Sequence, residues 1–267
     1  MTLRAGAGTA TETSYTRTIP DKVLVIGGSR GIGRATVVQL TGLGIRCAIG
    51  YLENDAAAKE AQELAVATGG PEPVLVRGDL GADPIGLITA AADALGGLGG
   101  LVTTAVPIVA GRTLTVTREV YDRVFDVQVW GLWEAIRTAL PELEKVGGSV
   151  VAVSSLGANH YARYYGAIGP AKAAMENLVR YFGAELGPKG VRVNGISPSL
   201  VDNPGHGGED IITGVADMQA EVAKKTPLRR LGHPDELASV IVSLLSSDFK
   251  FVTGLTIPVD GGYTLLA

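Results

Sequence analysis

One cysteine, Cys47, is all that the 267 residues contain. It excludes an internal disulfide, and with only three scattered histidines beside it the chain has no zinc-site spacing to offer. Positive charge is also scarce. Against 27 Asp and Glu stand 23 Lys and Arg, a net charge of -4, and the basic residues form no cluster. Phosphate backbones are bound by clustered Lys and Arg, so nucleic acid is not an expected partner. No apolar run reaches the ~20 residues that cross a bilayer. The first twenty residues, "MTLRAGAGTATETSYTRTIP", lack the apolar block of a secretory signal and suggest a flexible arm. A cytoplasmic location follows from these absences. What is present, 46% hydrophobic and 19% charged residues, suits a packed globular domain.

Short apolar runs alternate with helical periodicity along the whole chain. "KVLVIGG" (22–28) predicts a strand, and "GIGRATVVQLTGLG" (31–44) a helix that stops at glycine. "RCAIGYL", "PVLVRGDL", "GGLVTTAV", "GSVVAVSS", "VRVNGISP" and "GLTIPVDGG" predict six more strands. Between them lie the helical patterns "NDAAAKEAQELAVATGG", "DPIGLITAAADALGG", one long helix "REVYDRVFDVQVWGLWEAIRTALPEL", "PAKAAMENLVRYFGAELGPKG" and "PDELASVIVSLLSS". Residues 199–226 show no core period and carry Gly205, Gly207 and Gly208, which predicts a mobile flap. Parallel strands need crossovers, so strict alternation implies an α/β fold with a doubly wound parallel sheet of about seven strands. It would form a single domain over residues 21–267. Such a sheet binds ligands beyond the carboxyl ends of its strands.

The first strand runs into "GGSRGIG", with Gly27, Gly31 and Gly33 spaced G-x-x-x-G-x-G. A tight glycine turn ahead of a helix lets backbone N–H groups face a pyrophosphate. Taken with Asp79 after the third strand, "SS" at 154–155, Lys172 within "KAAMENLVRY", "VRVNGISP" and the terminal "VDGG", the chain resembles the short-chain dehydrogenase/reductases from Lys22 to Gly262. The resemblance implies a Rossmann fold, a nicotinamide cofactor and a homotetramer. It implies cofactor contacts from Gly27, Ser29, Arg30, Gly31, Ile32, Gly33, Tyr51, Asp79, Leu80, Thr104, Ala105, Lys172 and Val201, with Asp79 meeting adenine. An NAD-preferring member carries an acid at the end of the second strand, where this chain has Tyr51, Leu52 and only then Glu53. Arg30 in the glycine loop can pair with a 2'-phosphate, which favours NADPH over NADH. The other reading of Arg30 is a solvated loop charge.

Three motifs depart from the family pattern. The usual "NNAG" looks like "TTAV" (103–106), the family's helix-four Asn is matched by Gln128, and "SPG" reads Ser197-Pro198-Ser199. The largest departure concerns the tyrosine. Common members carry Y-x-x-x-K, in which a phenol and an ammonium share one helix face. Here the position four before Lys172 is Ile168, which has no proton to give.

Tyr165 stands seven before Lys172, and Gly166, Gly169 and Pro170 place it on the turn ahead of the helix. A displaced hydroxyl suits hydride addition to the β-carbon of a conjugated carbonyl, because the oxygen is then two bonds further from the carbon attacked. The segment also resembles the enoyl-acyl-carrier-protein and enoyl-coenzyme A reductases that share Y-x6-K. That resemblance implies Tyr165, Lys172 and Ser155 as catalytic residues and an acyl-thioester or other small-molecule substrate. Tyr161 and Tyr164 remain competitors for the phenol, and Ser155 can equally be read as a strand end. A ketoreductase of polyketide-type metabolites and a non-catalytic NADP-binding protein are the alternatives. His160, His206 and His233 read as loop residues, with His206 a possible substrate contact. Trp130 and Trp133 read as packing or subunit contacts.

Overall fold

The computed structural model describes residues 16–107, 109, 111–203 and 215–266. Seven strands, β1 (Lys22–Ile26), β2 (Arg46–Tyr51), β3 (Val74–Arg77), β4 (Gly100–Thr103), β5 (Ser149–Val153), β6 (Arg192–Pro198) and β7 (Thr256–Val259), form one sheet in the order β3-β2-β1-β4-β5-β6-β7. Every pairing is parallel. The order reverses between β1 and β4, and a crevice opens there at the strands' carboxyl ends.

The helices are α1 (Gly31–Gly42), α2 (Asp55–Val66), α3 (Pro84–Leu95), α4 (Arg118–Phe125), α5 (Gly131–Val146), α6 (Ile168–Leu186), α7 (Val215–Lys225) and α8 (Pro234–Leu245). Both sheet faces are covered, so the strands are apolar on both sides and their residues divide alternately between two cores. Leu24, Ile26 and Leu101 pack with Leu87, Leu132, Ile136 and Met175 on one face. Val23, Val25 and Val102 pack with Val37, Leu40, Leu237 and Ile241 on the other. A third, smaller cluster of Val124, Ala167, Ile168 and Ala171 lies between α4 and α6.

Three expectations are corrected. The long helix from Arg118 is interrupted by a π-helical turn, Asp126–Trp130, that separates α4 from α5. Gln128 sits inside that turn, fully buried, with its Nε2 donating to the Ala105 carbonyl at 2.5 Å. A side-chain bond across to the β4 loop is the kind of insertion that accompanies a π-bulge. The segment expected to be a patternless flap contains α7; residues 204–214, including His206, lie outside the described residues. Residues 16–20 of the expected arm are docked: Thr18 and Ser247 exchange bonds of 2.8 and 2.9 Å, and Arg17 meets Asp248 at 3.0 Å.

Candidate active site

The loop after β1 is shaped by glycine. Gly27 has φ +82°, and a Cβ on it would stand 2.6 Å from Thr104 Oγ1 and 2.8 Å from Ala105 N. One on Gly33 would run into the Gly27 carbonyl. Thr104 closes the turn by donating to the Ile26 and Gly27 carbonyls, each at 3.1 Å. The second residue of "TTAV" thus clasps the glycine loop. α1 then begins with no side-chain cap and no acid in its first turn. Its leading N–H groups, among the donors an α-helix cannot satisfy internally, are left to face the crevice. That combination of close backbone approach and an uncapped positive helix end fits a dinucleotide pyrophosphate.

Farther along, Tyr51 ends β2 with exposed Leu52 after it, and Arg30 is exposed at the rim of the crevice. Asp79 follows β3. Its carboxylate accepts from the Gly81 N–H at 2.8 Å and Arg123 Nη1 at 2.9 Å. Burial works against ionisation, yet these bonds outweigh it and hold the Asp79 carboxyl below the usual range. Arg123 was not legible as a site residue, since one basic residue on an exposed helix face carries no signal. Leu80 is buried next to Asp79 and Val201 pairs with Gly232 after β6.

At the centre, Lys172 is 3% exposed and donates from Nζ to the Val153 carbonyl at 2.5 Å. Burial pushes its pKa down to about 7, with the negative charge of Glu176 working the other way. Ile168 points into the cluster with Val124 and Ala171, so the usual tyrosine position is core. Tyr165 precedes α6 on a turn fastened across the β4 loop: Gly111 N donates to the Tyr164 carbonyl at 3.0 Å, and Gly166 N to the Gly111 carbonyl at 3.2 Å. Its ring lies over Gly157, where a Cβ would come within 2.6 Å of Cδ1. Burial raises the Tyr165 phenol pKa, and a hydrogen bond with Ser155 partly offsets the rise.

The two competing tyrosines differ in setting. Tyr161 is 89% exposed, and Tyr164 has the left-handed φ of 63° with the Arg163 guanidinium 4.8 Å from its ring centre. All the cofactor and catalytic candidates line one cleft of about 1160 Å³, together with Leu156, Leu200, Met218, Val222 and Tyr263, which sequence patterns did not single out. His160 is exposed, and His233 caps α8 with Glu236. Trp133 packs edge-on against Phe182 with 5.6 Å between ring centres, while Trp130 stays half-exposed. Among the described residues no group of three or more His, Cys, Asp and Glu could hold a metal ion, and no helix is long and apolar enough to cross a membrane.

A seven-stranded parallel sheet with this order, a glycine turn at its reversal point and a lysine under a serine-bearing strand end define a nicotinamide-dependent oxidoreductase class. The chain belongs to the short-chain dehydrogenase/reductase superfamily: a family model described as Enoyl-(Acyl carrier protein) reductase matches residues 26–264. It is 31% identical over 257 residues to an L-rhamnose 1-dehydrogenase (NAD(P)(+)) of Azotobacter vinelandii, covering 91% of this chain and 96% of that protein. It is 30% identical over 249 residues to 1-cyclohexenylcarbonyl-CoA reductase of Streptomyces collinus, covering 91% and 87%. Among solved structures, LugOII, described as a promiscuous reductase catalysing keto-reduction at C1 during lugdunomycin biosynthesis, superposes with TM-score 0.83 at 27% identity, covering 92% of this chain and 98% of that one.

Proposed function

We propose that this oxidoreductase is an NADPH-dependent reductase of α,β-unsaturated carbonyl compounds, enoyl thioesters or related enones. The observation that carries the reading is that Tyr165, Ser155 and Lys172 line one cleft while Ile168, four before Lys172, is buried in the core. Tyr165, whose ring packs on Gly157 two residues from Ser155, therefore precedes α6 rather than sharing the helix face that carries Lys172. When bound, the nicotinamide supplies hydride.

The residues of the chain divide the remaining work. Lys172, as ammonium, binds the ribose hydroxyls and draws the local potential positive. The Tyr165 hydroxyl, with Ser155 beside it, donates to the carbonyl oxygen and stabilises the enolate charge that builds there. Leu156, Leu200, Met218 and Val222 give the cleft apolar lining beside the charged Arg163, Asp217, Glu221 and Lys225, and exclusion of water by bound substrate would strengthen those bonds. Arg30 at the rim, with no acid at the end of β2, supports the preference for the 2'-phosphate. A homotetramer in the cytoplasm is part of the same proposal.

Ketone reduction is the second reading, favoured by the likeness to LugOII. The experiment gives the protein NADPH with crotonyl or longer enoyl thioesters and, separately, β-keto thioesters, and follows NADPH consumption. Turnover of the enoyl series is expected. Consumption only with β-keto thioesters overturns the reading, and tight NADPH binding without turnover on either series identifies a binding protein.

A further inference from the structure

Glu176 is a carboxylate with 4% exposure, one helical turn beyond Lys172, and the chemistry above makes no use of it. Both of its oxygens are engaged. Ser154 Oγ donates to Oε1 at 2.8 Å, and Asn159 Nδ2 donates to Oε2 at 2.8 Å. Ser154 follows the end of β5 and Asn159 follows the short 3-10 turn Leu156–Ala158, so the two donors bracket the segment that contains Ser155.

That segment is gripped from the other side by the aromatic ring. Ser155 Oγ accepts from Gly157 N at 3.3 Å, Gly157 lies under the Tyr165 ring, and a Cβ on Gly169 of α6 would stand 2.8 Å from the Gly157 carbonyl. We propose that Glu176 is a positioning residue: its carboxylate clasps the turn 154–159 onto the helix bearing Lys172 and thereby sets where the Ser155 and Tyr165 hydroxyls stand. The proposal rests on the reductase reading only in taking those two hydroxyls and Lys172 as the working groups.

A buried carboxylate is costly, and two neutral donors do not neutralise it. The charged group near it is Lys172, whose Nζ bonds the Val153 carbonyl rather than the carboxylate. Of the elements packed against α6, α5 brings one other buried charge, Glu134, which is paired with Arg137 at 2.6 Å, and α4 brings Arg118, Glu119, Asp122 and Arg123, none of them buried. β5 and the 3-10 turn offer neutral Ser154, Ser155 and Asn159, with His160 exposed beyond them; the π-helical turn offers Gln128, with Asp126 exposed; β6 offers Asn194, and an Arg192 bonded to the Leu245, Ser246 and Phe249 carbonyls. The Tyr165 phenol stands ahead of the helix, with its ring packed on Gly157. Glu176 therefore acts on the site twice, by fixing the turn and by favouring the ammonium form of Lys172.

The test uses the full chain with E176Q, which keeps the shape and removes the charge, and N159A, which removes one clasp bond and leaves the charge. NADPH affinity is titrated across pH, a measurement that requires no acceptor and stays readable if the enoyl assignment fails. Turnover is measured on whichever acceptor the wild type reduces. E176Q is expected to lose affinity with rising pH at a midpoint roughly half a unit or more below that of the wild type. Its kcat should fall about tenfold or more with a smaller change in KM. N159A should lower kcat by about threefold or more without moving the midpoint. A folded E176Q that lacks either effect overturns the proposal; if E176Q does not fold, an N159A kcat within about twofold of wild type overturns it.

Discussion

The glycine-loop end of the cleft and the end around Ser155 and Tyr165 are built by different means. Around the glycine loop the shape is set by backbone packed on backbone: Gly27 against Ala105, Gly33 against the Gly27 carbonyl, and Thr104 bonding two carbonyls. Around Ser155 and Tyr165 side chains are added to backbone contacts: the Glu176 clasp on one flank and the Tyr165 ring on the other, beside the Gly111 bonds to the turn. Backbone packing in the glycine loop tolerates almost no change, while the proposed phenol stands three residues before the usual position with that loop intact.

That contrast is broken most sharply at Gly33. Gly33→Val puts a branched side chain into the Gly27 carbonyl, and fluorescence titration should show NADPH binding lost altogether. The next effect concerns Lys172, whose ordinary pKa of 10.5 is pushed down to about 7 in the folded protein. Below pH ~7 both folded and unfolded chains carry the proton, and the buried charge costs the folded state roughly 4–5 kcal/mol. Between about 7 and 10.5 the unfolded chain binds more protons than the folded one, so stability rises with pH through that window. Thermal unfolding of cofactor-free Lys172→Met should accordingly exceed wild type most at pH ~6 and converge toward pH ~10. An advantage independent of pH would show that the lysine titrates normally.

Tyr165→Phe should lower kcat about a hundredfold or more while NADPH affinity stays within about threefold. Unchanged turnover would transfer the role to Tyr161 or Tyr164. The smallest effect is at the rim: Arg30→Ala should weaken NADPH about tenfold and leave NADH nearly unchanged. Equal loss for both cofactors would show that Arg30 does not meet the 2'-phosphate.

The same division explains what the sequence reveals. Strand and helix order, the reversal point and the glycine loop are legible because each depends on local apolar period or on residues that only one backbone shape accepts. The position of Tyr165 ahead of α6 is legible too, because glycines and Pro170 mark the helix start. The turn's attachment to Gly111 is not, since a bridge between residues 54 apart in the chain leaves no local pattern. Arg123 beside Asp79 and Ser154 with Asn159 on Glu176 are likewise pairings of side chains distant in sequence. The π-helical turn escapes because its residues keep helical periodicity on both sides of Gln128. Glu176 had a signal, its i+4 spacing from Lys172, but only burial distinguishes it from a solvated helix acid.

The assignment of hydride to a carbon remote from the oxyanion is tested most directly by the fate of a label. With NADPH deuterated on the transferred position and a conjugated acyl thioester as acceptor, NMR of the product should place deuterium on the β-carbon, with the carbonyl retained. Deuterium on a carbon that bears a new hydroxyl would contradict the account.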